Sequence, residues 1–506
     1  MRRVTPWLLL AMMLALVTLM WIQREGDAAP SPPPADKTAT KPGDPAAGKP
    51  ASDKPAPGTP AAGTPAAGKP APGTPAAGKP APDKPAPGQL AEKPDEPPAR
   101  PPLRRPLRTV ALGWELLAPG IVAGDGAYKA AGLEASFTHA ASMEDVESAL
   151  AKGGEAGGAD LAIVPLASYV ASYERLRALS PEVAFVVGWS RGREALFAAD
   201  AQMLARPPAA GDVKLAATTP TGPETFFALF LLDLAGVPAS RVSIVERGAT
   251  LTAVRRGGQP RPAGKLLVTS ADTPRLLPIV AVAPHGFIEA HGAELESWAR
   301  VWLAGVGKLA GDVPAGGRLV AAMNGAPPVL GIIEALGQVE FASLRENAAA
   351  AGLSGRGALT TGELFRTAWR IWREAGVLTT PAPEAAPLYT GAVAALVRAD
   401  PAAAAEVPRA RPPAEEGARP AVLLVARAPL AKDGTVDTEA FVARIGFVAG
   451  VFDRLALRVA VRDDAKAAKL LTDLARDRFG LRPTQLSLAR RPPANLPGAI
   501  EVLSAM

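Results

Sequence analysis

Three short segments hold residues whose types and spacing suit the capture of a small molecule. The first is Gly113-Trp114-Glu115, at the end of a strand-like run. The second is Gly188-Trp189-Ser190-Arg191-Gly192, closing an apolar run at 183–187. In the third, Thr219-Pro-Thr221-Gly222-Pro-Glu224-Thr225, small polar residues end a strand and a helix begins. Free N–H groups at such a helix start, with the positive end of its dipole, suit a carboxylate, sulfonate or phosphate. Thr219, Thr221, Gly222 and Thr225 are the candidate contacts there. The same residues also fit a ligand-free capped helix, with Thr221 as cap and Glu224 completing a capping box. Trp114 and Trp189 each follow Gly at the carboxyl end of a strand, the edge where open α/β sheets bind ligands. Such an aromatic is either a wall against a ligand or part of the core. Glu115, Ser190 and Arg191 flank the two rings. Arg191 suits bidentate pairing with an anion, or solvation at the surface.

The second segment also fits the G-x-S-x-G nucleophile elbow, with a strand before it and His285 and His291 after it in the required order. The elbow needs a helix directly after Ser190, however, and 193–199 reads as another short strand. No HGGG-type oxyanion loop lies upstream. No catalytic residue is therefore assigned. His139, His285 and His291 have no Cys or paired carboxylates at ligand spacing, so neither a metal nor a cofactor is expected.

Beyond Arg108, short β-rich runs alternate with helical patterns, which predicts α/β lobes built on parallel sheets. Strands are expected at 109–112, 161–164, 183–187, 214–218, 242–245 and 266–269. Helices are expected at 142–152, 223–235, 293–310, 327–336 and 361–375.

The order from residue 109 to 199 carries a family resemblance. A strand ending in Gly113-Trp114 is followed by Pro119 and Tyr128-Lys-Ala-Ala-Gly-Leu. After a helix come Ala159-Asp-Leu-Ala-Ile-Val-Pro-Leu and the Gly188-Trp189 strand end. This resembles the first lobe of the extracytoplasmic solute-binding proteins of ABC importers for nitrate, sulfonates, taurine and thiamine precursors. The resemblance implies a two-lobed α/β fold of the type II periplasmic-binding-protein kind. It also implies a small-molecule solute held between the lobes, no catalysis, and an ABC permease as partner. Lobe one would comprise 108–205 and 270–400, lobe two 206–269, with hinge strands near 200–207 and 268–274. One stretch departs from the family. An "Asp-Ala … Trp-Glu-Pro" stretch that contributes contacts from lobe two is missing, because 247–262 runs almost directly into Gly264-Lys-Leu-Leu-Val-Thr-Ser. Lobe two thus looks shortened, which opens the alternative of a non-transporting envelope scaffold or sensor.

Composition limits the remaining choices. The 506 residues are 48% apolar and carry a net charge of +6 with basic and acidic residues interspersed, so nucleic acid is not an expected partner. Cysteine is absent, which excludes both disulfides and a lipoprotein acyl anchor. Arg2 and Arg3 precede an apolar stretch at 7–22 flanked by Trp7 and Trp21. That pattern predicts an uncleaved signal anchor over 1–26, set in the inner membrane, with a signal peptide cleaved near Ala28-Ala29 as the alternative; either way the rest of the chain is extracytoplasmic or periplasmic. Residues 27–107 repeat Gly-Lys-Pro-Ala-Pro and Gly-Thr-Pro-Ala-Ala units, a disordered spacer with polyproline character. A second linker occupies 401–420. After it, 421–506 reads β-α-β-α-β-β and resembles the small α/β peptidoglycan-binding domain of outer-membrane protein A-like (OmpA-like) proteins. That resemblance implies peptidoglycan or an envelope protein as partner. The family's T-D-x-x-G loop and N-x-x-L-S-x-x-R-A helix are missing, leaving Asp463, Asp464 and Arg476 as the only stand-ins.

Overall fold

The computed structural model describes residues 102–504 apart from 208–210, 257–260, 356–358, 406–420, 463, 490–491 and 494–495. The expected anchor and nearly all of the spacer therefore lie outside the described residues. Among the described residues no helix is long and apolar enough to cross a membrane. The chain divides into Met1–Ala91 and Glu92–Met506, and every described residue belongs to the second unit.

Among the described residues, three sheets organise that unit. The first contains β1 (Leu107–Ala111), β2 (Ala135–His139), β3 (Leu161–Pro165), β4 (Glu182–Ser190), β10 (Pro278–Ala283) and β11 (Val339–Phe341), in the order β11-β4-β10-β3-β1-β2. The second contains β5 (Glu194–Ala198), β6 (Val213–Ala217), β7 (Val242–Ile244), β8 (Leu251–Arg255) and β9 (Lys265–Thr269), in the order β7-β6-β8-β5-β9. The third contains β12 (Val422–Arg427), β13 (Ala456–Val461), β14 (Leu486–Leu488) and β15 (Gly498–Leu503), in the order β12-β15-β13-β14. The helices that bear on the site are α1 (Leu166–Leu176), α2 (Pro223–Leu234), α3 (His285–Gly311), α4 (Leu344–Ala350), α5 (Thr361–Glu374), α6 (Thr438–Val451) and α7 (Ala465–Phe479).

The two α/β sheets are mixed rather than purely parallel. β1 runs parallel to β2 and β3, and β6 parallel to β7 and β8. The strands that pass between the sheets run the other way: β10 is antiparallel to β3 and β4, and β5 to β8 and β9. The chain must reverse to return from one sheet to the other, and these strands record that reversal. The first crossing spans only 191–193, between β4 and β5, about ten residues before the expected hinge at 200–207. β5 thus belongs to the second sheet, not to lobe one. The polar break Ser190-Arg-Gly-Arg between two apolar runs, with Gly192 at φ 77°, is the turn that makes the switch. The return crossing spans 270–277, close to the expected place.

Packing explains the composition of α2. Phe226, Phe227, Phe230, Leu231 and Leu232 are all buried although they point in different directions around the helix. A helix apolar on every side must be covered on every side. Trp372 of α5 lies against Phe226 at 6.0 Å and Phe447 of α6 against Phe230 at 5.9 Å between ring centroids. One continuous apolar core therefore runs from Val164 and Val186 through α2 to Phe441, Ile445 and Val459. A second core lies on the other face of the first sheet, where Trp298 and Trp302 of α3 stack at 4.8 Å.

Candidate functional site

The three segments singled out in the sequence meet where the first two sheets face each other, and a buried charge cluster joins them. Glu115 sits in a short 3₁₀ turn directly after β1, is 3% exposed, and accepts a hydrogen bond from Arg193. Gly113 makes this placement possible. Its φ of 147° suits glycine, and a Cβ there would lie 2.6 Å from the Glu115 carboxylate. Arg193 belongs to the crossing segment. Beside it, Ser190 Oγ donates to the Glu194 carboxylate and lies 3.3 Å from Ser270 Oγ on the return crossing. Ser270 Oγ also accepts from the Glu194 backbone N–H at 3.2 Å. Arg255, at the end of β8, completes the cluster. Burial and the neighbouring Arg193 cation lower its pKa, while Glu194, Glu115 and Glu224 hold its proton.

The third segment brings in Glu224, which is 1% exposed and occupies the amino end of α2 itself. Its Oε1 accepts the Thr219 N–H at 2.8 Å, and Thr225 Oγ1 donates to the Thr219 carbonyl at 2.6 Å. The position expected to receive an anion thus holds the protein's own carboxyl group. The capping-box alternative does not form. The cap residue is Gly222, with no side-chain cap bond, and Thr221 is exposed. Gly222 is required by close approach, since a Cβ would meet Glu224 Oε2 at 2.6 Å and Thr219 Cβ at 2.7 Å.

Burial pushes the Glu224 carboxyl above the usual carboxylate range, against hydrogen bonds from its own backbone and from Thr219. A carboxyl whose folded-state pKa exceeds its unfolded value stabilises the fold while protonated. That contribution is complete below about 4.5, the unfolded value, and is lost as pH rises through the folded value. Glu224→Gln, neutral at every pH, is expected to raise the melting temperature at pH 8 and to change it little at pH 4.5. Equal shifts at both pH values, measured by calorimetry, would refute a raised carboxyl.

The remaining candidates fall around this cluster. Trp114 is half-buried and stacks on His139 with centroids 4.4 Å apart and planes 10° from parallel. Trp189 is 4% exposed and faces away from the cluster, with the Arg275 guanidinium 4.0 Å from its ring centroid. The Arg191 side chain is exposed, and its backbone N–H donates to the Gln338 carbonyl at 2.8 Å. Sequence reasoning missed Arg193, Glu194, Arg255 and Ser270. The alternation of charge in Arg191-Gly-Arg-Glu194, between two apolar strands, was the one visible signal for the first two.

The nucleophile-elbow geometry is absent. Ser190 lies at the carboxyl end of β4, whereas His285 pairs with Glu182 at its start. Eight strand residues at ~3.3 Å each separate those ends by roughly 26 Å. His291 lies beside Glu294, whose carboxylate accepts from Leu103 N before β1. Among the described residues no three His, Asp or Glu side chains gather as a metal site. In the third sheet Asp464 caps α7 by accepting from Ala467 N at 2.8 Å, and Arg476 pairs with Asp473 at 3.0 Å. Both therefore have structural roles, and Asp463 lies outside the described residues.

No family model and no curated protein sequence matches the chain. Solved structures to which parts of this chain are similar include the periplasmic aliphatic sulphonate binding protein SsuA from Escherichia coli. It is 12% identical, with 62% of this chain and 97% of that chain covered and a TM-score of 0.39. The periplasmic nitrate-binding protein NrtA from Synechocystis PCC 6803 is 14% identical over 45% of this chain and 69% of its own, with a TM-score of 0.34. The alkanesulfonate-binding protein SsuA from Xanthomonas axonopodis pv. citri, bound to MOPS, is 10% identical over 54% and 94%, with a TM-score of 0.36.

Proposed function

We propose that the chain is an extracytoplasmic solute-binding protein, tethered to the inner membrane by residues 7–22, that captures a small organic anion between its first two lobes. Delivery to an ABC permease follows from that role, and no catalytic step is assigned. The observation that carries the reading is the convergence of Glu115, Arg193, Glu194, Arg255 and Glu224 at the facing strand ends. Arg193 Nε, Arg255 Nε and Glu224 Oε2 are buried there without hydrogen-bond partners among the described residues. Buried polar atoms left unpaired cost about 1–3 kcal/mol each, which the oxygens of an anionic ligand recover at the two guanidinium Nε donors but not at Glu224 Oε2. The ligand's anionic group competes with the protein's own carboxylates for the two guanidinia, so capture requires the lobes to part. Trp114, Arg191, Thr219 and Thr221 form the rim, and Ser190, Gly222 and Thr225 support it, whereas Trp189 faces the opposite side of the sheet.

A thermal-shift screen with sulfonates, carboxylates, nitrate and pyrimidine precursors tests this reading. One class should raise the melting temperature. For that ligand Arg255→Gln is expected to cost about 2–4 kcal/mol of affinity, because the pairing is desolvated. Arg191→Ala, at an exposed site, should cost under ~1 kcal/mol. A ligand whose affinity ignores both Arg255→Gln and Thr221→Val sits elsewhere.

The envelope scaffold or sensor reading has its own support in the way the third sheet is joined to both lobes. Arg454 pairs with Glu340 of β11 at 2.8 Å, while Val425 N donates to the Leu204 carbonyl at 3.3 Å next to the second sheet. Such bracing opposes hinge opening. Retention on purified peptidoglycan, together with no response to any solute, would favour it.

A further inference from the structure

A cavity of about 640 Å³ separates α4 and α5 of lobe one from the third sheet's α6 and the segment Phe479–Gln485. It lies outside the interlobe cluster. Trp189 lines it, while Ser190, the next residue along β4, points to the opposite face and into the cluster. The volume falls within the ~300–1,000 Å³ of small-molecule sites. Leu359, Leu364, Ala449 and Phe479 supply apolar wall. Three guanidinium side chains line it (Arg275, Arg345 and Arg482) against two carboxylates, Glu346 and Asp453. Arg275 is the best placed. Its side chain is 13% exposed, its guanidinium lies over Trp189, and it pairs with Glu340 at 3.2 Å and with Glu346. Its Nη1 is nevertheless buried with no hydrogen-bond partner among the described residues.

We infer that this cavity is a second binding site, for an amphiphilic organic anion whose apolar body lies against Phe479 and Leu364 and whose anionic head is held by Arg275. With Arg454 and Glu340 included, four guanidinia face three carboxylates, and this excess of cations, with one guanidinium incompletely satisfied, selects a negative head. Apolar walls of both lobe one and the third sheet select a body larger than a simple inorganic ion. Arg275 and Arg454 both pair with Glu340, so a ligand here joins the third sheet to lobe one independently of whether the lobes bind a solute.

Anilinonaphthalenesulfonate, an aromatic sulfonate that fluoresces on leaving water, is the probe, titrated into the full chain. Saturable binding at one site is expected. Ala349→Trp, placing an indole in the cavity from an exposed position of α4, should abolish it. Arg275→Gln should weaken it by about tenfold, and the uncharged analogue N-phenylnaphthylamine should bind the parent protein weaker by a similar factor. An unchanged titration in Ala349→Trp, or no saturable binding to the parent protein, overturns the site. Equal affinity for the charged and uncharged probes overturns the anionic head. If Arg275→Gln proves unfolded by circular dichroism, the Ala349→Trp and analogue measurements still decide.

Discussion

Trp372→Ala is expected to cost about 3–5 kcal/mol of folding free energy, the range for emptying a large aromatic site in a close-packed core. The indole is 0% exposed, packs against Phe226 and donates from Nε1 to the Ala167 carbonyl of α1 at 2.9 Å. It thus ties α5 to α2 and α1 at once. Its neighbour α2 is shared by the second sheet, lobe one and the third sheet. The loss should therefore spread, lowering amide protection of Val459 and Val502 in the third sheet together with that of Val164 and Val186. Hydrogen exchange combined with urea unfolding measures both effects. A cost below ~1 kcal/mol, or a third sheet whose protection is untouched, would mean the core is divided where it looks continuous.

Much of this architecture was legible because its signals are local. The strands expected at 161–164, 214–218, 242–245 and 266–269 form within one residue of those bounds, and the helix at 361–375 is α5. Each is a run of one periodicity between Gly, Pro or capping residues. Thr360, for example, caps α5 with Glu363 completing a capping box. β8 was missed because Leu251-Thr-Ala-Val-Arg255 alternates weakly and is short. The start of α3 was missed because the non-helical backbone of His291 interrupts the pattern of its 27 residues. The hinge was misplaced because a two-sheet crossing needs only three residues, and nothing in a strand announces which sheet it will join. The charge cluster was illegible for a different reason. Glu115 and Arg193 are 78 residues apart, and only the fold makes them neighbours. The docking of the third sheet onto α2 was equally hidden, although the all-round apolarity of α2 demanded a cover on every face.

Glu115→Gln is the substitution expected to disturb the interlobe cluster most, at about 3–5 kcal/mol. The side chain is 4% exposed and its partner Arg193 is 15% exposed, so water recovers little of the lost attraction. Without the carboxylate, the Arg193 guanidinium is left beside Arg255 with only Glu194 and Glu224 to offset two partly buried cations, and burial already opposes ionisation of Glu224. The cost should be nearly independent of salt between 0.05 and 0.5 M, roughly the range over which exposed pairs are screened. Adding Arg193→Met should restore part of the stability, since an apolar residue asks for no partner, and the double-mutant cycle then reports the pair itself. The lobes should also separate more readily in Glu115→Gln, because the bond joins the turn after β1 to the crossing segment. Small-angle scattering would record a larger radius of gyration. A cost under ~1 kcal/mol that salt abolishes would place Glu115 and Arg193 in an open, hydrated cleft. That outcome would shift the energetics of capture from breaking internal ion pairs to filling a gap between lobes already apart.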